Sequence, residues 1–228
     1  MGSFYGYDEV RDGTETTVTP PSQCAHGSYG ETKYLALQMV LKENGSKLKN
    51  GKTFLTLGIL PPGMYGELDP THKIRRSRSV RNGVYNRIMG KMEAKIQFAY
   101  TGNVAYLFTR AYKALIENPD VGGQYYFAVD NTPVQSHIEY RKPYLDQYVK
   151  ASSWYIPHRL VLLILSVIYF ILFIVRLFRS ANFPLSPYII HFVNTTFYVK
   201  YDKAKTMLGY LPLYDYKTSI RNTIASIK

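Results

Sequence analysis

A tyrosine and a lysine four positions apart, Tyr29 and Lys33, are the residues of this sequence whose types and spacing first suggest chemistry. On a helix, side chains at i and i+4 lie on one face, about one turn apart. A lysine cation beside a phenol favours the phenolate, which can take a proton from an alcohol. The spacing alone is weak, because the chain has 22 tyrosines and a second such pair, Tyr201 and Lys205. The interpretation therefore depends on what surrounds the first pair.

The residues around Tyr29 predict a helix, then a strand, then a rigid loop. Apolar residues at helical spacing, closed by Asn44-Gly45, predict a helix over about 29–43. A β-branched and apolar run predicts a buried strand over 53–59, and a Pro- and Gly-rich loop follows it over 60–67. In open α/β sheets ligands bind beyond the carboxyl ends of strands, so this loop either borders a site or only turns the chain.

The rest of the chain alternates in the same way. Strands are predicted over 95–100, 123–129 and 196–199, and helices over about 103–118, 202–208 and from 214 onward. Residues 1–28 are rich in Thr, Gly, Pro and Ser and are expected to form a loop. This alternation predicts an α/β layered domain.

Residues 160–175 form a run of sixteen residues without a charge. A spanning helix needs about 20 apolar residues. Basic and aromatic residues flank the run: Trp154, Tyr155, Arg159, Arg176, Phe178 and Arg179. Three interpretations stay open, namely a membrane span, a deeply seated interfacial helix and a buried core helix.

The net charge of +12 is uneven and argues against a nucleic-acid partner. Residues 71–95 and 159–228 each carry a net +7, but no basic stripe is interleaved with aromatic residues. Basic residues beside an apolar run favour an anionic membrane surface. The run 71–95 is either a solvated face or a phosphate- or lipid-binding site. The lone Cys24 excludes an internal disulfide, and it has no partners at metal-ligand spacing.

Five short sequence motifs are each weak evidence when taken alone, but their order along the chain is informative. They are Ser28-Tyr29-Gly30-Glu31-Thr32-Lys33; Asn50-Gly51-Lys52-Thr53 with Pro61-Pro62-Gly63-Met64-Tyr65-Gly66-Glu67; Tyr100-Thr101-Gly102-Asn103-Val104-Ala105; Gly123-Gln124-Tyr125-Tyr126 with Asp130-Asn131-Thr132-Pro133; and Lys203-Ala204-Lys205 with Leu208-Gly209-Tyr210 and Pro212. In this order they resemble the C-terminal two-thirds of the 3β-hydroxysteroid dehydrogenase/isomerase family, within the extended short-chain dehydrogenase/reductases. The apolar run falls where that family has a membrane-associating segment.

The resemblance implies an NAD-dependent oxidation of a sterol 3β-hydroxyl, with isomerase activity left open. Tyr29 would take the proton of the alcohol, and Lys33 would favour the phenolate and bond the nicotinamide ribose. Ser3 would hold the substrate oxygen, with Ser28 as the fallback. Pro61, Pro62 and Met64 would border the nicotinamide. No metal is implied.

The chain departs from the family at two places. The family begins with a Gly-rich strand–turn–helix that binds the pyrophosphate, and no Gly-x-Gly-x-x-Gly occurs here. Leu60 stands where the family usually has arginine. We therefore expect an incomplete enzyme whose 228 residues alone do not bind NAD measurably. The alternative function is a non-catalytic, membrane-associated remnant that binds a lipid or a partner.

The resemblance also implies a fold and a location. The expected fold is the C-terminal portion of an extended Rossmann-type short-chain dehydrogenase with an added hydrophobic membrane helix. Its expected divisions are a partial Rossmann-type and substrate domain over 1–150, a membrane-associating helix over 151–182 and a substrate-domain segment over 183–228. A membrane location follows, with the endoplasmic reticulum preferred to the mitochondrion and oligomerisation left open.

Overall fold

The computed structural model describes two compact units. The residues it describes are 1–4, 6, 8–22, 24, 26–69, 94–145, 156–177, 179–180 and 187–226, and for Ser3, Ile138, Arg141, Leu145, His158 and 187–189 it describes the backbone alone. The first unit consists of Met1–Asp69, Gln97–Val134 and Phe197–Lys228, and the second of Pro70–Ile96 and Gln135–Thr196. Most of the basic run 71–95, and the expected flanks Trp154, Tyr155 and Phe178, lie outside the described residues.

The predicted helix after Tyr29 is confirmed as α1, Ser28–Lys42. Glu31 in its first turn and Lys42 in its last have charges that suit the helix dipole. Leu37 is buried, whereas Leu35 and Met39 are exposed, so α1 packs along a narrow stripe. The open face of α1 includes Tyr29.

The strands of the first unit that the structure describes pair in parallel. The six strands are β1 (Val10–Gly13), β2 (Gly58–Leu60), β3 (Gly63–Tyr65), β4 (Phe98–Tyr100), β5 (Tyr125–Phe127) and β6 (Phe197–Val199). Their pairs are β1–β6, β2–β5 and β3–β4, all parallel. Parallel strands need crossover connections, usually helices, so the α/β prediction is confirmed.

The core of the first unit lies under a second long helix, α2, Thr101–Glu117. Its buried face consists of Val104, Leu107, Ala111 and Ala114, at helical spacing. These side chains belong to one apolar cluster with Tyr126 and Leu208. The sequence predicted this helix and its end near Asn118.

Three more helices lie in the second unit: α3 (His137–Leu145), α4 (His158–Arg176) and α5 (Pro187–Asn194). The predicted apolar helix is thus present as α4, but only 11% of its most apolar window, Arg159–Arg176, is buried. The interpretation of this run as a buried core helix is therefore wrong. Its length and composition would allow it to cross a membrane.

The C-terminal helices return to the first unit as α6 (Asp202–Leu208) and α7 (Tyr216–Ala225). Gly209 ends α6 in the left-handed conformation, with φ of 59°, so the predicted helix over 202–208 and its end at Gly209 are confirmed. The Asp215 carboxylate caps α7 by accepting from the Thr218 amide at 2.7 Å.

Two expectations about loops are corrected. Residues 1–28 contain a 3₁₀ turn, Gly2–Phe4, and the strand β1. β1 has one large apolar residue, and it forms because β6 pairs with it and Gly13 packs closely against Val18 and Val199. The loop 60–67 contains β3, whose Tyr65 is fully buried.

Candidate active site

Tyr29 and Lys33 lie together on the open face of α1. The Tyr29 side chain is 59% exposed, and the Lys33 Nζ is 5.8 Å from the centre of its ring. The i, i+4 spacing thus places an ammonium beside the phenol, as the helix geometry requires. Both groups face solvent, where a substrate or cofactor can reach them.

The start of α1 is held by a close contact that the sequence did not reveal. Gly30 is buried, and a Cβ at this position would overlap the Cys24 sulfur and lie 3.0 Å from the Gly2 carbonyl oxygen. The Cys24 thiol is also buried and donates to that same oxygen at 3.2 Å. Cys24 therefore ties the N-terminal turn to the helix. In the sequence, a glycine near a helix start was the only sign that Cys24 packs closely on Gly30.

The N-terminal turn, Gly2–Phe4, lies between the tyrosine and the Pro-rich segment. A Cβ on Gly2 would be 3.1 Å from the Tyr29 ring, and the Met1 nitrogen donates to the Pro61 carbonyl oxygen at 2.8 Å. Phe4 anchors the turn, because its buried ring contacts Tyr34. The turn thus joins Tyr29 to the start of the loop.

Ser3 belongs to this turn, and its side chain lies outside the described residues. Its backbone neighbour Gly2 contacts the Tyr29 ring, so the turn brings residue 3 close to the tyrosine. Ser28 is exposed and directly precedes Tyr29 on α1. Adjacent helical residues do not face each other, so the fallback serine fits less well.

A histidine next to the tyrosine was also missed from the sequence. The His26 ring packs edge-on against Tyr29, with ring centres 6.1 Å apart. Burial, and then the charge of the chain's first amino group, lower the pKa of the His26 imidazole. The surroundings of the imidazole beside Tyr29 therefore disfavour its charged form.

The loop residues expected to border a cofactor differ in exposure. Pro61 is half-buried, Pro62 is buried and Met64 is 48% exposed on β3. Met64 pairs in register with Ala99 of β4. Of these three, Pro61 is linked to the Tyr29 region by the described contacts, and Met64 offers the accessible side chain.

The second pair, Tyr201 and Lys205, has a different environment. The Tyr201 hydroxyl donates to the Asn131 side-chain oxygen at 2.9 Å, and burial followed by the charges of Asp202 and Asp130 raises the pKa of Tyr201. Tyr201 and Lys205 line a cavity of about 420 Å³ within the first unit. A raised phenol pKa opposes formation of the base, so this pair does not suit proton abstraction.

A buried polar network explains two of the motif stretches, Tyr100–Ala105 and Asp130–Pro133. The Asp130 carboxylate accepts from the Tyr100 amide at 2.9 Å, from the Asn103 amide group at 2.8 Å and from the Thr132 amide at 2.9 Å. Asn103 in turn bonds the backbone of Tyr214. These motifs therefore hold the strand ends, α2 and the C-terminal segment together.

The comparisons with known proteins agree with the fold. A profile of the 3-beta hydroxysteroid dehydrogenase/isomerase family matches residues 1–156. Two proteins named 3 beta-hydroxysteroid dehydrogenase type 7 are similar: that of Mus musculus is 29% identical over 214 residues, and that of Homo sapiens is 28% identical over 215. Each match covers 90% of this chain and 57% of the relative.

Solved structures show the same fold at low sequence identity. Pal from Bacillus thuringiensis has a TM-score of 0.58 at 14% identity, with 99% of this chain and 59% of that chain covered. RMD from Pseudomonas aeruginosa, complexed with NADPH, has a TM-score of 0.56 at 15% identity, with 99% and 63% covered. MoeE5, in complex with UDP-glucuronic acid and NAD, has a TM-score of 0.56 at 14% identity, with 99% and 62% covered.

The fold is thus that of the extended, Rossmann-type short-chain dehydrogenases and epimerases. The chain belongs to the 3-beta hydroxysteroid dehydrogenase/isomerase family. It spans 57% of the length of the curated relatives that it matches.

Proposed function

We propose that this chain carries the proton-handling part of a site that oxidises a sterol 3β-hydroxyl with NAD. The observation that carries the proposal is the Lys33 ammonium 5.8 Å from the ring of the exposed Tyr29, with the N-terminal turn against the same ring. Family membership supports the class of reaction.

The chain's residues would act on the substrate alcohol. The Tyr29 phenolate takes the hydroxyl proton, and the Lys33 ammonium stabilises the phenolate that does so. Ser3 holds the alcohol oxygen from the N-terminal turn. A bound nicotinamide supplies the acceptor for the hydride that leaves the carbinol carbon. The products are a ketone, the reduced cofactor and the proton held by Tyr29.

The residues fit the nicotinamide end of the cofactor. Lys33 is exposed on the face of α1 that carries Tyr29, so its ammonium can donate to ribose hydroxyls. Met64 presents an accessible apolar side chain, and Pro61 lies beside the N-terminal turn. The ring of Pro62 is buried, so its contribution would be to shape the loop. The proposal includes the identity of the cofactor, which is NAD rather than NADP.

The substrate and the compartment follow from the same proposal. A sterol is a lipid-like alcohol that resides in membranes, and α4 is an exposed apolar helix. We therefore propose that the protein lies at a membrane. The membrane of the endoplasmic reticulum is preferred to that of the mitochondrion.

A second function has one observation in its favour. The 228 residues contain no Gly-x-Gly-x-x-Gly to cradle a pyrophosphate. A non-catalytic, membrane-associated protein that binds a lipid or a partner through the same fold is therefore the competing proposal.

An assay of a fusion protein separates the two functions. The part of the Mus musculus relative that precedes its matched region is joined ahead of residue 1, and NAD binding is first verified by calorimetry. Reduction of NAD is then followed with a 3β-hydroxysterol and with its 3α epimer. The proposal predicts turnover of the 3β epimer alone. A fusion that binds NAD and turns over neither epimer would favour the non-catalytic function.

A further inference from the structure

The strand β5 has a strand partner on one of its two edges. It pairs with β2 in parallel, with Gly58 opposite Tyr125. The Gln124 carbonyl oxygen and the Ala128 amide make backbone bonds on this side. Backbone groups of successive residues point to opposite edges of a strand, so those of Tyr125 and Phe127 point away from β2. We call this second edge the free edge of β5.

Two charged side chains occupy the free edge. The Phe127 amide donates to the Glu15 carboxylate at 2.8 Å, and the Lys203 ammonium donates to the Tyr125 carbonyl oxygen at 3.0 Å. Among the strands that the structure describes, none pairs with this edge. A side-chain acceptor and a side-chain donor therefore bond the groups that a neighbouring strand would otherwise bond. We call Glu15 and Lys203 the edge cap.

The aromatic residues of β5 hold the edge cap in place. The Lys203 Nζ is 4.8 Å from the centre of the Tyr126 ring and 5.5 Å from that of the Tyr125 ring. Successive side chains of a strand point to opposite faces, so an ammonium within reach of both rings lies at the edge between them. The Tyr125 hydroxyl also donates to the Glu15 backbone carbonyl oxygen at 2.9 Å. Both residues of the cap are thus bonded to β5 itself.

The edge cap has a cost, because both of its residues are charged and half-buried. Burial raises the pKa of the Glu15 carboxyl and lowers that of the Lys203 ammonium, and the charge of each opposes the shift of the other. Apolar side chains would cover the same rings without this desolvation, but they could not bond the backbone groups of the edge. The charged pair is therefore better suited to closing the edge than to packing.

The sequence of β5 indicates what an open edge would bind. Residues 123–129 contain no charge and no proline, and Tyr125–Phe127 are all aromatic. Short uncharged segments of high β-propensity pair readily with copies of themselves when they lie at an open edge. The partner that fits this edge is thus the same segment of a second copy of the chain.

We propose that Glu15 and Lys203 cap the free edge of β5 and so prevent it from pairing with β5 of a second copy. Two copies related by a two-fold axis would join these edges in antiparallel orientation, and their strands would form one continuous sheet. The edge cap thus keeps the chain from associating through β5. The inference does not depend on the reaction proposed above.

Hydrogen exchange tests the acceptor side of the cap. Glu15→Ala removes the acceptor of the Phe127 amide, whereas Glu15→Gln retains an oxygen. Exchange in the full chain is measured by NMR, in a mild detergent that covers the exposed apolar face of α4. In dilute protein we expect the Phe127 amide to exchange about tenfold faster in Glu15→Ala and close to the wild-type rate in Glu15→Gln. The Ala128 amide, which bonds to β2, is the internal control and should not change. An unchanged rate for the Phe127 amide in Glu15→Ala would overturn the proposal.

Sedimentation velocity at increasing concentration tests the consequence for association. Glu15→Ala and Lys203→Met should form dimers or larger species at concentrations where the wild type does not, and the Phe127 amide should then be protected again. Lys205→Met, on the same helix as Lys203, is the matched control and should sediment as the wild type does. Asn103→Ala removes bonds of the same unit outside the cap, and it too should sediment as the wild type does. Wild-type sedimentation of both cap variants would overturn the proposal, as would equal association of Asn103→Ala.

Discussion

Asn103 and Tyr214, which are 111 positions apart, exchange two hydrogen bonds. The Asn103 amide nitrogen donates to the Tyr214 carbonyl oxygen at 2.9 Å, and the Tyr214 amide donates to the Asn103 side-chain oxygen at 2.8 Å. The same Asn103 nitrogen also donates to buried Asp130. One side chain therefore fastens the start of α2 to the C-terminal segment.

Replacing Asn103 with alanine should destabilise the first unit. The change removes one of three donors to the buried Asp130 carboxylate and both partners of the Tyr214 backbone, and we expect a loss of about 3 kcal/mol in the free energy of unfolding. Urea denaturation measures it. Asn50→Ala is the control, because Asn50 is exposed and its side chain caps a local turn. Similar losses for both variants would show that the network has no special role.

The start of α1 should depend on the pair Gly30 and Cys24. Gly30→Ala forces a methyl group onto the Cys24 sulfur, so we expect a loss of about 2 kcal/mol. Cys24→Ala in the same chain removes the sulfur and should restore part of that stability. Urea denaturation of both single variants and the double variant gives the coupling free energy. Additive losses would contradict the contact.

The helix α3 should lose stability in acid through Glu139. The Ser136 amide and then the Lys95 ammonium lower the pKa of the Glu139 carboxyl. A carboxyl with a lowered pKa stabilises the folded state above its unfolded pKa, and this contribution is lost as the pH falls through the folded value. Since the pair with Lys95 is partly exposed, we expect Glu139→Gln to cost only about 0.5 kcal/mol at pH 7.

The measurement is urea denaturation of wild type and Glu139→Gln between neutral and acidic pH. The two curves of stability against pH should converge in acid, where the wild-type carboxyl is protonated. Glu117→Gln, at the exposed end of α2, is the control and should show no such convergence. A Glu139→Gln deficit that stays constant in acid would contradict the assignment.

Elements with local signals were predictable from the sequence. α6 was predicted over 202–208 with its end at Gly209, and this glycine adopts a left-handed conformation. α1 and α2 follow from helical spacing over several turns. α3 was missed because Pro143 lies inside it and its apolar residues have no clear period.

The sequence nevertheless held a signal for α3. Ser136 and Glu139 form a capping box: the Ser136 amide donates to the Glu139 carboxylate at 2.8 Å, and the Glu139 amide donates to the Ser136 hydroxyl at 3.2 Å. A serine followed by glutamate three residues later marks such a start.

The candidate site was predictable in part. The shared face of Tyr29 and Lys33 follows from their spacing, because helix geometry is local. The contacts of the N-terminal turn with Tyr29 and Pro61 join residues far apart in sequence. The close packing of Cys24 on Gly30 depends on the same turn. No single-chain pattern encodes such contacts, so the packing of the N-terminal turn against the tyrosine required the structure.

Tyr29 is the residue on which the proposed reaction depends most directly. The decisive measurement is the rate of NAD reduction with a 3β-hydroxysterol by the NAD-binding fusion carrying Tyr29→Phe or Tyr201→Phe. Loss of the base should lower kcat at least about 100-fold for Tyr29→Phe, while NAD binding is retained and Tyr201→Phe stays close to the parent. A Tyr29→Phe fusion that binds NAD and turns over at the parent rate would contradict the assignment of Tyr29 as the base.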